Sequence, residues 1–291
     1  MRKLRNLSIF GLAFAVLAVT LMPVSTAKAS GFDYLYEPFD ELNFQPVDPD
    51  AYWWVTNSGE EGGYPMLWND LNGNGSSVSI EKQGRWNSYA DLSLLTTTTE
   101  GYYTNAEISE TPSGFAYNQG KWNPEYRHPV LLRTKVRWDG DFNTDGSGDA
   151  IGSSGVWLWN SPMDYMTYEF YPIDAMGISW NNDGSALVPG LNSLVMQQDW
   201  PVHVGTPTVS DMGNWLNFTM LWNEDANGNQ SVQQWVNGQY LGKVDLAAPI
   251  DEGLAVQIWH DNQTYNYEGV LLETPVEDQS FQVDYLAIVQ L

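Results

Sequence analysis

From Val130 to Trp138 the side chains of Val130, Leu132, Thr134, Val136 and Trp138 alternate with Leu131, Arg133, Lys135 and Arg137. A period of two sends the two sets to opposite faces of an extended strand, the pattern expected when one face is buried. The alternation recurs in Trp215 to Trp222, Gln233 to Val236, Leu254 to Trp259 and Ser280 to Val289, in runs bounded by Gly, Asn, Asp and Pro. No long stretch carries apolar residues at helical spacing, so the chain is expected to be all-β. Turn chemistry agrees. Asn237-Gly238 lies between two such runs, a strong hairpin signal, and Asn227-Gly228 joins Met220-Leu221-Trp222 to a strand beginning near Ser231. With no linker rich in Pro, Ser or Gly, residues 30–291 are expected to form a single jelly roll of two packed antiparallel sheets.

The first residues have a different character. Arg2, Lys3 and Arg5 precede an apolar run from Leu7 to Met22, which ends in Ala27-Lys28-Ala29 before Ser30. This three-part pattern predicts a secretory signal over residues 1–29 and a secreted, extracellular or periplasmic protein. The run is short for a spanning helix and is interrupted by Ser8 and Gly11, so no membrane association is expected after its removal. There are no cysteines, so an exported chain of this kind is held by its core, and it is expected to be a monomer.

The full chain has 12 Lys plus Arg against 36 Asp plus Glu. Residues 1–29 contain four of the basic residues and no acids, leaving 8 − 36 = −28. Such a surface repels phosphate backbones and anionic lipid, which excludes nucleic acid as an expected partner and leaves neutral glycans and divalent cations. Strong acidity also confers solubility whatever the partner.

Seven aromatic residues fall between Val156 and Trp180, interleaved with Asp164, Glu169 and Asp174. Flat apolar rings suit the C–H faces of sugars and carboxylates accept hydrogen bonds from hydroxyls, so a polysaccharide surface is one reading; core aromatics are the other. Within Tyr165 to Tyr171, Met166, Tyr168 and Phe170 form a set fit for the core, whereas Tyr165, Thr167, Glu169 and Tyr171 form a polar set expected to line an open trough. Trp259 and Asp261 alternate with Ile258 and His260 in the same way. The expected glycan contacts are Trp157, Trp159, Tyr165, Tyr171 and Trp259, with Glu169 and Asp261 as acceptors. His260 shares the apolar set and is expected to be a hydrogen-bonded strand histidine.

Several segments resemble the concanavalin A-like jelly roll of glycoside hydrolase family 16. Tyr103-Thr104-Asn105-Ala106-Glu107-Ile108 is similar to that family's Tyr-Thr-Ser-Gly-Glu-Ile strand, and Gly155-Val156-Trp157-Leu158 to its Gly-x-Trp-Leu segment. Trp235-Val236-Asn237-Gly238 resembles its Tyr-Val-Asp-Gly hairpin. The resemblance implies the fold and a glycan-related activity. Its catalytic motif is a Glu, an Asp two residues on and a second Glu two or three residues later, side chains that share one strand face at ~7 Å per step. Here Tyr171 stands where the Asp belongs and Ile173 takes the next position on that face, with Asp174 one residue out of phase. A divergent hydrolase would use Glu169 as nucleophile and Asp174 as acid, with a bulge near Pro172 to bring them together. A closer likeness joins Gly155–Pro162 and Gly253–Gln263 to uncharacterised exported relatives of this jelly roll, which have a Trp-Asn-x-Pro corner and a late Asp-Asn-Gln without the hydrolase motif.

The run Asp139-Gly140-Asp141-Phe142-Asn143-Thr144-Asp145-Gly146-Ser147-Gly148-Asp149 has oxygen ligands at alternate positions and Gly at the sixth, counting from Asp141, like the first half of a calcium loop. The bidentate carboxylate at the twelfth position is replaced by Gly152, and an acidic turn has the same composition. Bound Ca2+ on Asp139, Asp141, Asn143, Asp145 and Asp149 is the expectation to test. Three readings remain open at this point: a glycan-binding protein, a divergent endo-acting glycoside hydrolase, and an extracellular interaction or structural protein.

Overall fold

The computed structural model describes residues 34–40, 44–45, 53–56, 59–61, 75–84, 87–98, 101–109, 129–159, 165–171, 190–197, 200–205, 207–251, 253–266 and 269–290. The expected signal segment, residues 1–29, lies outside the described residues. So do Asp164, Asp174 and Trp180. In chain order the strands are β1 (Tyr34–Glu37), β2 (Phe44–Gln45), β3 (Trp53–Thr56), β4 (Gly59–Glu61), β5 (Ser76–Gln83), β6 (Asn87–Leu94), β7 (Tyr102–Ser109), β8 (Val130–Asp139), β9 (Ser153–Trp159) and β10 (Tyr165–Tyr171). They continue with β11 (Gly190–Gln197), β12 (Trp200–Gly205), β13 (Leu216–Glu224), β14 (Gln230–Val236), β15 (Gln239–Asp245), β16 (Ala255–Asp261), β17 (Gln263–Asn266), β18 (Gly269–Leu272) and β19 (Gln279–Gln290). Among the described residues there is no α-helix.

Two large sheets face each other. One runs β15-β14-β13-β8-β19-β6-β5, with β1 also paired to β19; the other runs β12-β11-β10-β9-β16-β7-β3-β2, with β4 also paired to β7. Among the described residues pairing is antiparallel except between β2 and β3. The alternation in β8 is realised residue by residue: Val130, Leu132, Thr134, Val136 and Trp138 are buried while their neighbours are half-buried. Their partners across the gap include Val156, Leu158, Met166, Tyr168, Phe170, Val256 and Ile258. Asn237 and Gly238 both take positive φ (51° and 78°), the geometry of the tight hairpin that joins β14 to β15.

Polar side chains also bridge the sandwich. Trp138 Nε1 donates to Ser154 Oγ (2.7 Å), and Gln234 Nε2 donates to the Thr167 carbonyl (3.2 Å). The Tyr168 hydroxyl lies 2.7 Å from the Thr219 carbonyl oxygen and 2.8 Å from that of Trp235, and it accepts the Trp235 N–H at 2.9 Å. A register shift at Gln234/Trp235 in the β14–β15 ladder coincides with this contact. Strand β10 is thereby tied to the opposite sheet through its core face.

Candidate functional site

Strand β10 has the two faces read from its sequence. Met166, Tyr168 and Phe170 belong to the core, and Thr167 and Glu169 point the other way. The open trough expected on that second face is not found: Thr167 and Glu169 are fully buried. Cross-strand neighbours give the physical reason. Glu169 lies opposite Gly155 on β9, and Gly155 lies opposite Trp259 on β16. With no side chain at Gly155, the Trp259 ring lies over that position; a Cβ there would fall 2.6 Å from the ring. Trp157 Nε1 donates to Glu169 Oε1, which fixes the carboxylate from the adjacent row. Backbone pairing places Tyr165 and Tyr171 on β10, but their side chains are outside the described set, and the Glu169/Asp174 pair falls partly outside the described residues.

The three tryptophans form one cluster. Trp157 lies 4.3 Å from Trp259 and 6.1 Å from Trp159, ring centre to ring centre. Trp159 and Trp259 are 1% and 5% exposed, so the expectation that both offer open faces to a sugar is corrected; only Trp157 is half-buried. Trp259 Nε1 donates to Ser153 Oγ at 3.1 Å.

Register defines what surrounds Trp157. One row across the sheet reads Ser109, Gln257, Trp157, Thr167 and Leu194 from β7 to β11. Gln257 and Thr167 therefore flank Trp157 on adjacent strands, about 4.8 Å away on either side. Both are buried, and Gln257 Oε1 and Thr167 Oγ1 have no hydrogen-bond partner among the described residues. Asn105 Oδ1, on β7, is in the same condition. Buried polar atoms left without partners are rare in folded proteins and call for a ligand or water to complete them.

Asp261 lies two rows along β16 from Gln257, beyond the row of Trp259, and stands opposite Ser153 and Asn105. It is buried and accepts from Ser153 N (3.2 Å), Ser153 Oγ (3.2 Å), Gln263 N (3.0 Å) and Tyr103 Oη (3.4 Å). Burial pushes its carboxyl up from 3.8 to about 7, outweighing the hydrogen bonds that act in the other direction. His260, on the core face as expected, meets the Leu92 carbonyl (3.0 Å) and Gln279 Nε2 (3.2 Å), and burial holds its imidazole down at about 4. It is a neutral structural residue.

Glu107 was not singled out in the sequence, yet β7 pairs it with Trp259, and Asn105 Nδ2 donates to its Oε2 at 3.1 Å. The signal was present in the alternation of Asn105, Glu107 and Ser109 with Ala106 and Ile108. Carboxyls from β7, β10 and β16 thus share one face of this sheet.

The acidic turn does not gather its side chains around one point. Asp141 Oδ2 accepts Asp149 N (3.0 Å), and Asp145 Oδ1 accepts Ser147 N (3.1 Å) and Ser147 Oγ (2.6 Å). Those bonds hold the Asp145 carboxyl below its ordinary range. Among the described residues no three His, Cys, Asp or Glu side chains form a group able to hold a metal ion. Of the five side chains expected as calcium ligands, two, Asp141 and Asp145, accept backbone amides of the turn itself.

Solved structures share this architecture. A lichenase, a β-1,3-1,4-glucanase from a mouse hindgut metagenome, superposes with a TM-score of 0.52 at 12% identity, covering 89% of this chain and 99% of its own. The fold is their concanavalin A-like jelly roll. A Bacteroides ovatus family 16 enzyme in complex with its product gives 0.51 at 11% identity, covering 87% and 99%. The laminarinase catalytic domain of Thermotoga maritima gives 0.50 at 16% identity, covering 88% and 97%. No family model matches the sequence, and no curated protein does.

Proposed function

We propose that the protein binds a neutral polysaccharide on the face of the nine-stranded sheet centred on Trp157. One observation carries this reading: two buried oxygens without partners, Thr167 Oγ1 and Gln257 Oε1, flank the half-buried indole on the adjacent strands. A sugar ring stacked on Trp157 would lie one strand spacing from each of them. The remaining groups on the face, Glu169, Glu107 and Asp261, are acceptors or acids, which suits a ligand rich in O–H donors and disfavours a polyanion. The glucanases that share the fold act on β-glucans, and those polymers are the first ligands to try.

Binding is preferred to hydrolysis because neither strand beside β10 carries a carboxyl to partner Glu169. Cleavage uses two carboxyls about 5 to 9 Å apart. Glu107 does not supply the second, because three strand spacings separate it from Glu169, ~14 Å at the backbone, with Trp259 between them. The same reading takes the chain as exported, on the pattern of residues 1–29, and N-terminal sequencing of secreted protein should begin at Ser30.

Native electrophoresis in gels cast with soluble β-1,3-1,4-glucan, β-1,3-glucan or agarose tests the proposal. At least one polymer should retard the protein, and Trp157→Ala should reduce the effect. Mobility unchanged in every polymer would overturn it. Incubation with the same polymers should release no more reducing ends than a Glu169→Gln variant does; a difference between them would restore the hydrolase reading.

A further inference from the structure

The outward face of the eight-stranded sheet carries a second set of aromatic rings, and these reach solvent. Tyr89 on β6 and Trp215, just before β13, are partly exposed and meet edge to face at 5.8 Å. The Arg137 guanidinium lies 5.4 Å from the Tyr89 ring centre and 4.7 Å from that of Trp215, and Lys135 Nζ lies 4.9 Å from Trp215. Arg137 Nε donates to Gln282 Oε1, and Gln282 Nε2 donates to Asp91 Oδ2 at 2.7 Å. Lys135 is ion-paired with Asp284. Each cation over the rings is therefore held in place by a partner on β19, and the rings inherit that rigidity.

A second ring pair lies across the sheet. Trp235 on β14 and Tyr240 on β15 are 5.3 Å apart, and Tyr240 is 50% exposed. The backbone of Trp235 is pinned through the sandwich by the Tyr168 hydroxyl. Trp235 pairs with Thr219, four residues beyond Trp215 along β13, so the two platforms stand ~14 Å apart from strand rise and spacing. Rings already fixed before a ligand arrives lose little conformational freedom on binding.

Charge narrows the class of ligand. Arg133, Lys135 and Arg137 are three of the eight basic residues in positions 30–291, and they share the outward face of β8. Lys243 joins them on that face, against Glu81, Asp91, Asp139, Asp245 and Asp284, so the described charges there sum to 4 − 5 = −1. A near-neutral, aromatic-studded strip on a strongly acidic chain accepts an uncharged polymer without repulsion and offers no excess positive charge to an anionic one.

We propose that this outward face is a second polysaccharide-binding surface, with Tyr89 and Trp215 as one platform and Trp235 and Tyr240 as the other, so that one molecule can hold two neutral glycan chains on opposite faces. The outer surface stands without the Trp157 site; only the bridging of two chains rests on both.

The full chain and three variants, Trp157→Ala, Trp215→Ala with Trp235→Ala, and the combination of all three, are run in native gels containing hydroxyethyl cellulose, β-1,3-1,4-glucan or carboxymethyl cellulose. Light scattering of the same neutral polymers in solution reports cross-linking. The outer double variant should lose part of the retardation and all of the scattering increase, and the triple variant should migrate as in polymer-free gels. Retardation of the outer double variant equal to that of the unaltered protein would overturn the proposal, and retardation by carboxymethyl cellulose alone would overturn its ligand class. If Trp157→Ala has no effect while the outer double variant abolishes retardation, the outer surface stands and the Trp157 reading fails. Should the double variant unfold, Tyr240→Ser removes a half-exposed ring that rests against Trp235; it must weaken retardation, and unchanged mobility refutes the outer platform.

Discussion

Replacing Asp261 by Asn should change how stability depends on pH. In the folded chain burial raises this carboxyl from 3.8 to about 7, so between those values the native state keeps a proton that the unfolded chain has released. The stability this contributes is complete below about pH 3.8 and is lost as pH rises towards 7. At 1.36 kcal/mol per pH unit, that interval corresponds to ~4 kcal/mol. Asn retains an acceptor for Ser153 and Gln263 and presents an N–H towards Tyr103, so it mimics the protonated acid. Urea unfolding at a series of pH values should find the variant and the unaltered protein equally stable near pH 4, and the variant more stable by about 2 to 4 kcal/mol at pH 8. His260 acts in the opposite sense. Its imidazole is held at about 4 instead of 6.5, so its contribution is present above 6.5 and lost as pH falls towards 4. In the unaltered protein the two slopes offset each other between about pH 4 and 6.5, and the Asn variant uncovers the histidine's. Parallel stability curves for the two proteins would refute the assignment of a buried acid at Asp261.

Tyr168→Phe should destabilise the fold by about 1 to 3 kcal/mol in urea unfolding, because it leaves the Trp235 N–H without its acceptor and creates no cavity; a loss under ~0.5 kcal/mol would contradict the inter-sheet tie. Gly155→Ala should be destabilising by about 1 to 3 kcal/mol, since the new Cβ meets the Trp259 ring at 2.6 Å and the Tyr168 carbonyl oxygen at 2.3 Å; a neutral effect on the melting midpoint would show that Trp259 does not lie there. Chelator should leave the midpoint unchanged, because Asp141 and Asp145 are already bonded within their own turn; a calcium-dependent gain of ~1 kcal/mol or more would show that the loop binds the ion.

The architecture was legible because each strand has one face in a common core. Val130 to Trp138 and Met166, Tyr168 and Phe170 announce themselves by alternation, and Asn237-Gly238 announces its hairpin. Exposure of the second face was not legible. Whether Glu169 meets solvent depends on Gly155 and Trp259, which lie on other strands and reach it only through register. The same holds for Glu107, whose place beside Trp259 follows from the pairing of β7 with β16. The outer rings were closer to the surface of the sequence. Trp235 alternates with Val232 and Val236, which points it away from the core, but its pairing with Tyr240 includes a register shift that no local pattern encodes.

Thr167→Val tests the central claim most directly, because it removes one of the two oxygens beside Trp157 while keeping the side chain's shape. If that hydroxyl waits for a glycan, the variant should be as stable as the unaltered protein, or more stable by up to about 1 to 3 kcal/mol, since a buried group without a partner has been removed. Its affinity for the retarding polysaccharide, measured by titration calorimetry on a defined oligosaccharide, should fall about fivefold. A variant that loses stability while binding the glycan as tightly as before would contradict the account.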